Sequence, residues 1–97
     1  MLIIIDMYQE NKVVIYTTNY CPYCVKAKAL FKVREINYIE IDITNQPQTR
    51  MQLANATGRQ TVPQIYIHTT YIGGCDDLYK LKDENKLDEL LALISPK

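Results

Sequence analysis

The run Val13-Val14-Ile15-Tyr16 constrains the chain more than any other feature. It is β-branched and aromatic without polar alternation, as expected for a strand buried on both faces. Thr17-Thr18-Asn19-Tyr20 breaks it, and a helix is expected from about Pro22, where the missing N–H costs little. Val25, Ala29 and Val33 recur at helical spacing, with Leu30 and Phe31 beside them and Lys28 and Lys32 on the other edge, which predicts an amphipathic helix lying on a sheet. Asn37 turns the chain, and Tyr38-Ile39-Glu40-Ile41-Asp42-Ile43 alternates as a strand. A β-α-β unit of this kind implies a parallel pair with a right-handed crossover.

The rest of the chain extends that unit. Thr44-Asn45-Gln46-Pro47 offers capping residues and a first-turn proline for a second helix, with Met51 and Ala54 facing inward and Gly58 as a left-handed stop. Pro63 to His68 alternates, Thr69-Thr70 turns, and Tyr71-Ile72 forms a short strand ended by Gly73-Gly74. The short turn predicts an antiparallel hairpin. Asp76 is placed to cap a short helix holding Leu78 and Leu81, and Leu87, Leu90, Leu91 and Ile94 mark a last one. The order β-α-β-α-β-β-α-α predicts an α/β fold: a four-stranded mixed sheet with helices on both faces. Residues 1–11 are expected to form an N-terminal extension or extra edge strand ahead of one domain over 12–97.

Several function classes are excluded by composition. Eleven Lys and Arg balance eleven Asp and Glu, so neither nucleic acid nor an anionic membrane is an expected partner. No apolar run approaches the roughly 20 residues of a membrane helix. Met1-Leu2-Ile3-Ile4-Ile5-Asp6 lacks the basic start and cleavage site of a signal peptide. Three cysteines are an odd number, which fits a cytoplasmic chain with reduced thiols rather than a secreted disulfide scaffold.

Three stretches carry chemistry. Cys21-Pro22-Tyr23-Cys24 lies between a strand and a helix. Two cysteines one turn apart there can form a disulfide, and the helix N-terminus stabilises a thiolate on the first. Thiolate is the nucleophile of disulfide exchange, so Cys21 attacks and the less exposed Cys24 resolves. A zinc half-site is the competing reading, but only Cys75 and His68 remain as further ligands, and no metal is expected. Thr61-Val62-Pro63 opens a strand, where proline fits; it is either a turn or a cis proline that leaves Val62 backbone free to pair with an extended peptide. Gly73-Gly74-Cys75-Asp76-Asp77 is either a turn with an N-cap or a site for the polar end of a small peptide. Cys75 is read as a buried packing residue and His68 as a solvated one late in a strand.

Together, in this order and spacing, the three stretches resemble the signatures of dithiol glutaredoxins, and Gly58 to Ile65 and Ile72 to Leu78 are similar to the short bacterial-type members. The resemblance covers Lys12 to about Leu91. It implies a thioredoxin-like fold, glutathione as reducing cosubstrate, and a redox-active Cys21–Cys24 disulfide. It further implies that Val62, beside a cis Pro63, offers its backbone to the cysteine of glutathione, and that Thr61 and Pro63 belong to the glutathione site. By the same resemblance Gly74, Cys75 and Asp76 hold the γ-glutamyl end, Tyr23 lines the sulfur side and Arg50 meets the glycine carboxylate. The chain departs from the pattern at Thr18, where many members carry a lysine. The implied activity is glutathione-dependent reduction of protein–glutathione mixed disulfides and protein disulfides, by a monomer, with ribonucleotide reductase among the candidate substrates. A thioredoxin-like donor served by a flavoprotein reductase and an iron–sulfur cluster carrier are the alternatives.

Overall fold

A computed structural model of the chain describes residues 7–94. Eight elements follow in sequence: β1 (Val13–Thr17), α1 (Pro22–Val33), β2 (Ile39–Asp42), α2 (Pro47–Thr57), β3 (Gln64–Ile67), β4 (Thr70–Gly73), α3 (Cys75–Asp83) and α4 (Leu87–Leu91). The strands form one sheet in the order β2-β1-β3-β4. β1 runs parallel to β2, with Val14 opposite Ile39, and antiparallel to β3, with Ile15 opposite Ile65. β3 and β4 form the antiparallel hairpin, which turns at His68, a residue with φ of 54°. The expected mixed sheet and its element order are therefore present.

β1 lies at the centre, and the pleat sends its side chains to two cores. Val13 and Ile15 join Ala27, Leu30 and Phe31 of α1, Leu78 of α3 and Leu87 of α4 on one face. Val14 and Tyr16 join Leu53 of α2 and Tyr66 of β3 on the other. This two-sided burial explains why β1 shows no polar alternation. It also carries the chain straight from the core to the loop that precedes Cys21.

The expected helix faces need correction. Val25 and Val33 are exposed, at 63% and 81%, and Ala29 is exposed too. The buried stripe of α1 is Cys24, Ala27, Leu30 and Phe31, because the larger Leu and Phe side chains bury more apolar area than the valine stripe offers. In α2, Met51 is exposed and Leu53 is the buried anchor. Nor do the residues before Pro47 cap α2: its N-cap is Gln46, without a side-chain bond. Thr44 instead bonds the Asp42 carboxylate and accepts the Asn19 N–H at 2.9 Å. Gly58 does end α2, with φ of 76° and its N–H on the Ala54 C=O.

Of the stretch 1–11, residues 1–6 lie outside the described residues. Residues 7–11 form bends and a turn. Met7 is buried in the second core, and its C=O accepts the Tyr16 hydroxyl at 2.6 Å.

Candidate active site

The loop after β1 delivers Cys21 to the N-terminus of α1. Cys21 is the N-cap, in extended conformation, and its Sγ accepts the Cys24 N–H at 3.1 Å. A sulfur thus occupies the place usually held by a serine or aspartate oxygen. Pro22 follows at the first helical position, where no N–H is needed. Cys21 is half-buried and Cys24 fully buried. Burial is the main reason that the Cys24 thiol is pushed up to about 12, and its hydrogen bond to Cys21 adds to this. The two cysteines therefore differ as an accessible and an inner thiol should.

The second wall is the strand entry. The Val62–Pro63 peptide bond is cis. The Cys21 thiol donates to the Val62 C=O at 3.5 Å, so the nucleophile candidate touches this wall directly. The loop is pinned from below by the buried Gln64, whose amide nitrogen donates to the C=O groups of Arg59 at 2.8 Å and Thr61 at 3.0 Å. Thr57 Oγ1 lies 2.9 Å from the amide oxygen. Sequence reasoning gave Gln64 no role, since nothing in its neighbourhood marks it as buried.

The third wall starts α3. Its N-cap is Gly74, not Asp76. The capping bond comes from Asp77, whose Oδ2 accepts the Gly74 N–H at 2.9 Å. The capping role expected of Asp76 is thereby corrected: the acidic residue at N3, not at N2, reaches back over the turn. Asp76 is exposed and enters no ion pair among the described residues. Gly73 has φ of 111°, and a Cβ there would lie 2.3 Å from Asp77 Oδ2. Asp77 also pairs with Arg59 at 2.8 Å; that ion pair and the Gly74 N–H hold its carboxyl below the usual range.

A cleft of about 330 Å³ lies between these walls. Tyr23, Thr61, Val62, Pro63, Gly74, Cys75 and Asp76 all line it, so the fold gathers seven of the expected site residues from three separate stretches. Arg59 and Asp77 complete the lining. Cys75 is also part of the core, and burial pushes its thiol up. Arg50 is not brought to this cleft. It lines a separate groove on α2 and donates to the Gln60 C=O at 3.4 Å. His68 lies at the hairpin turn, where its Nδ1 accepts the Asn11 N–H at 2.9 Å. No cluster of three or more metal-ligating side chains occurs among the described residues. Nor, among them, is any helix long and apolar enough to cross a membrane.

The comparisons with known proteins agree with this geometry. The glutaredoxin family model matches residues 13–72. A glutaredoxin of Pseudomonas aeruginosa is 49% identical over 80 residues, which cover 82% of this chain and 95% of that one. The solution structure of glutaredoxin from Brucella melitensis is 43% identical and superposes with a TM-score of 0.78, covering 94% of this chain and 99% of that one. The crystal structure of a buckwheat glutaredoxin–glutathione complex also gives a TM-score of 0.78, at 31% identity, covering 82% of this chain and 76% of that one. With a thioredoxin-like sheet and a Cys-Pro-Tyr-Cys helix start, the chain belongs to the glutaredoxin family of glutathione-dependent thiol–disulfide oxidoreductases.

Proposed function

We propose that Cys21 is the nucleophile, Cys24 the resolving thiol, and the cleft beside them the glutathione site. The observation that carries this reading is the contact of Cys21 with the Val62 C=O, at the mouth of a cleft that gathers three sequence-distant walls.

In the first route, the Cys21 thiolate attacks the glutathione sulfur of a protein–glutathione mixed disulfide. The Cys21–glutathione disulfide forms, and the protein thiolate leaves and takes up a proton. A second glutathione thiolate attacks the glutathione sulfur, giving oxidised glutathione and freeing Cys21. In the second route, Cys21 attacks a protein disulfide and forms a mixed disulfide with one substrate sulfur. Cys24 loses its proton and attacks Cys21 Sγ, which releases the substrate dithiol and leaves a Cys21–Cys24 disulfide. Two glutathiones supply the two electrons that reduce it.

Val62 supports this assignment because its N–H makes no backbone bond among the described residues and is available to an extended peptide. Thr61 and Pro63 frame it, and Tyr23 stands half-exposed at the sulfur side. Gly74, Cys75 and Asp76 start a helix of nine residues, where N–H groups and the dipole favour the γ-glutamyl carboxylate and the Asp76 carboxylate suits its ammonium. Arg50 is assigned to the glycine carboxylate; its bond to Gln60 sets it beside the loop that carries Thr61. We place the activity in a cytoplasmic monomer over residues 12–97, with glutathionylated proteins and protein disulfides, including that of ribonucleotide reductase, as substrates.

Turnover of a glutathionylated peptide, coupled to glutathione reductase, tests the reading. Glutathione-dependent turnover is expected. Reduction that proceeds only with a thioredoxin reductase would overturn it.

A further inference from the structure

Two lysines of α1, Lys26 and Lys28, serve different sides of the helix. The Lys26 Nζ stands 4.7 Å from the centre of the Tyr79 ring of α3, and its charge acts on Cys75. Lys28 follows Cys24 by one helical turn and so shares its side of α1. Its Nζ donates to Glu40 Oε2 of β2 at 2.9 Å, and the same oxygen accepts the Thr17 hydroxyl of β1 at 2.8 Å. The register sets Glu40 beside Ile15, on the side of the sheet that α1 covers. Thr17, two residues after Ile15 and buried, lies on that side as well. Three elements therefore meet at one carboxylate oxygen, and they hold an ammonium group one turn from the inner thiol.

No member of this cluster lines the cleft beside Cys21. The Lys28 and Glu40 side chains are 25% and 36% exposed. A pair this open to water adds little to stability, but a charge acts more strongly on a buried neighbour than on an open one. Burial and then the bond to Cys21 favour the Cys24 thiol, whereas the Thr18 N–H and the Lys28 charge favour its thiolate. Glu40 and Tyr38 are the groups that face Lys28, and the Asp42 carboxylate acts on Glu40 in turn. The bond to Glu40 raises the Lys28 ammonium above its ordinary range, so it stays charged. Burial works against the Glu40 carboxylate, but the bonds from Lys28 and Thr17 outweigh it and keep Glu40 ionised. A Cys21 sulfur engaged in a mixed disulfide carries no charge, and so no longer opposes a Cys24 thiolate by repulsion.

We propose that Lys28 is a positioning residue for the resolving step: held by Glu40 and Thr17, its ammonium stabilises the Cys24 thiolate as it forms. This rests on the reading that Cys24 is the resolving thiol. In that step Cys24 gives its proton to solvent and the thiolate attacks Cys21 Sγ. The Cys21–Cys24 bond forms and the bond from Cys21 to the substrate sulfur breaks. The substrate thiolate leaves with the electron pair and takes up a proton. Lys28 keeps its own proton throughout.

The test mixes reduced, full-length protein with a symmetric aromatic disulfide whose free thiolate is coloured. The first release of colour reports attack by Cys21, and the second reports attack by Cys24 on the mixed disulfide left behind. Second-release rates are followed against pH in wild type, Lys28→Gln, Lys28→Met and Lys28→Arg, with thermal midpoints for each. Loss of a nearby unit charge shifts the thiol up by about one pH unit. The more basic thiolate is also more nucleophilic, so the second release at neutral pH should slow about 3-fold in both neutral variants. The first release should slow by less, and Lys28→Arg should recover most of the loss. An unchanged second release in Lys28→Gln would overturn the proposal. So would slowing in Lys28→Met alone, which would make the hydrogen bond to Glu40 matter rather than the charge. Slowing that tracks thermal midpoint, without rescue by arginine, would overturn it too. Wild type that releases colour once only, or Cys24→Ser that releases it twice, would instead bring down the reading of Cys24 beneath it.

Discussion

Two helix N-termini meet at the cleft, and they are finished in opposite ways. At α1 the cap is the Cys21 sulfur, which accepts a single N–H and is half-buried. At α3 the cap is a carboxylate from Asp77, itself tied to Arg59. Sulfur is a weak acceptor, and in the proposed reaction it forms and breaks a covalent bond at each turnover. The α1 end is thus held loosely by the group that reacts. The α3 end is held twice by groups with no part in the chemistry. A side-chain capping bond is not obligatory in this fold, since α2 starts at Pro47 and its N-cap, Gln46, makes none. The difference therefore separates a reacting end from a holding end.

Removing the sulfurs breaks the comparison most severely. Cys21→Ser should reduce both reactions to the uncatalysed background, because no other described thiol is accessible: Cys24 and Cys75 are buried. Cys24→Ser should lose reduction of protein disulfides and keep much of the deglutathionylation, which uses one enzyme thiol. Assays of the two substrates side by side would show this. A folded Cys24→Ser protein inactive in both would make the single-thiol route untenable.

Asp76→Ala probes the holding end. A charge-assisted hydrogen bond to the glutathione ammonium is worth about 1.5–3 kcal/mol, so kcat/KM for glutathione should fall roughly ten- to hundredfold. Stability should change by less than about 1 kcal/mol, the size of a helix-dipole contribution, since Asp77 makes the capping bond. Unfolding midpoints and glutathione dependence of the same variant decide the point. Lost stability with unaltered kinetics would move Asp76 from ligand to helix end.

Gln64→Leu acts one step further from the chemistry. It keeps the side chain's approximate volume and removes the donors that satisfy the Arg59 and Thr61 carbonyls. Unpaired polar groups in such a place cost about 1–3 kcal/mol. A urea titration should show that loss, and an unchanged midpoint would mean that water replaces the amide without cost.

What was legible in the sequence follows the same division. β1 could be read because burial on both faces leaves no polar position. The Cys-Pro-Tyr-Cys stretch could be read because strand, break and helix start are all local. The inward faces of α1 and α2 were misread, since Val25, Val33 and Met51 are apolar enough to suggest a buried stripe, while packing chose Phe31 and Leu53. The tie between Arg59 and Asp77 was invisible because it spans two strands. One local signal was present: an acid three residues after Gly74, the position from which a side chain reaches back to a helix start.

The smallest expected effect concerns the inner thiol of the reacting end. In the folded, reduced chain Cys24 holds its proton up to about 12, chiefly because of burial. In the unfolded chain the same thiol releases it near ~8.5. The folded value is the higher one, so this thiol's contribution to stability is complete below the unfolded value and is lost as pH rises toward the folded one. The slope is at most about 1.4 kcal/mol per pH unit for one proton. Buried Cys75 is shifted in the same direction, and Tyr16 is pushed up to about 12 from its ordinary value near 10. Wild-type stability alone would therefore mix several groups. Comparing reduced wild type with Cys24→Ser cancels Cys75 and Tyr16, which remain in both, and leaves the difference made at the hydrogen-bonded Cys21–Cys24 pair. Urea midpoints at pH 8, 9 and 10 should converge or cross as pH rises, with wild type losing about 1–2 kcal/mol more than the variant over that range. Parallel curves would mean that Cys24 is not held protonated by the fold. A steeper wild-type curve would mean that the fold holds Cys24 protonated in the reduced chain, so this thiol still has a proton to lose before it attacks Cys21 Sγ in the resolving step.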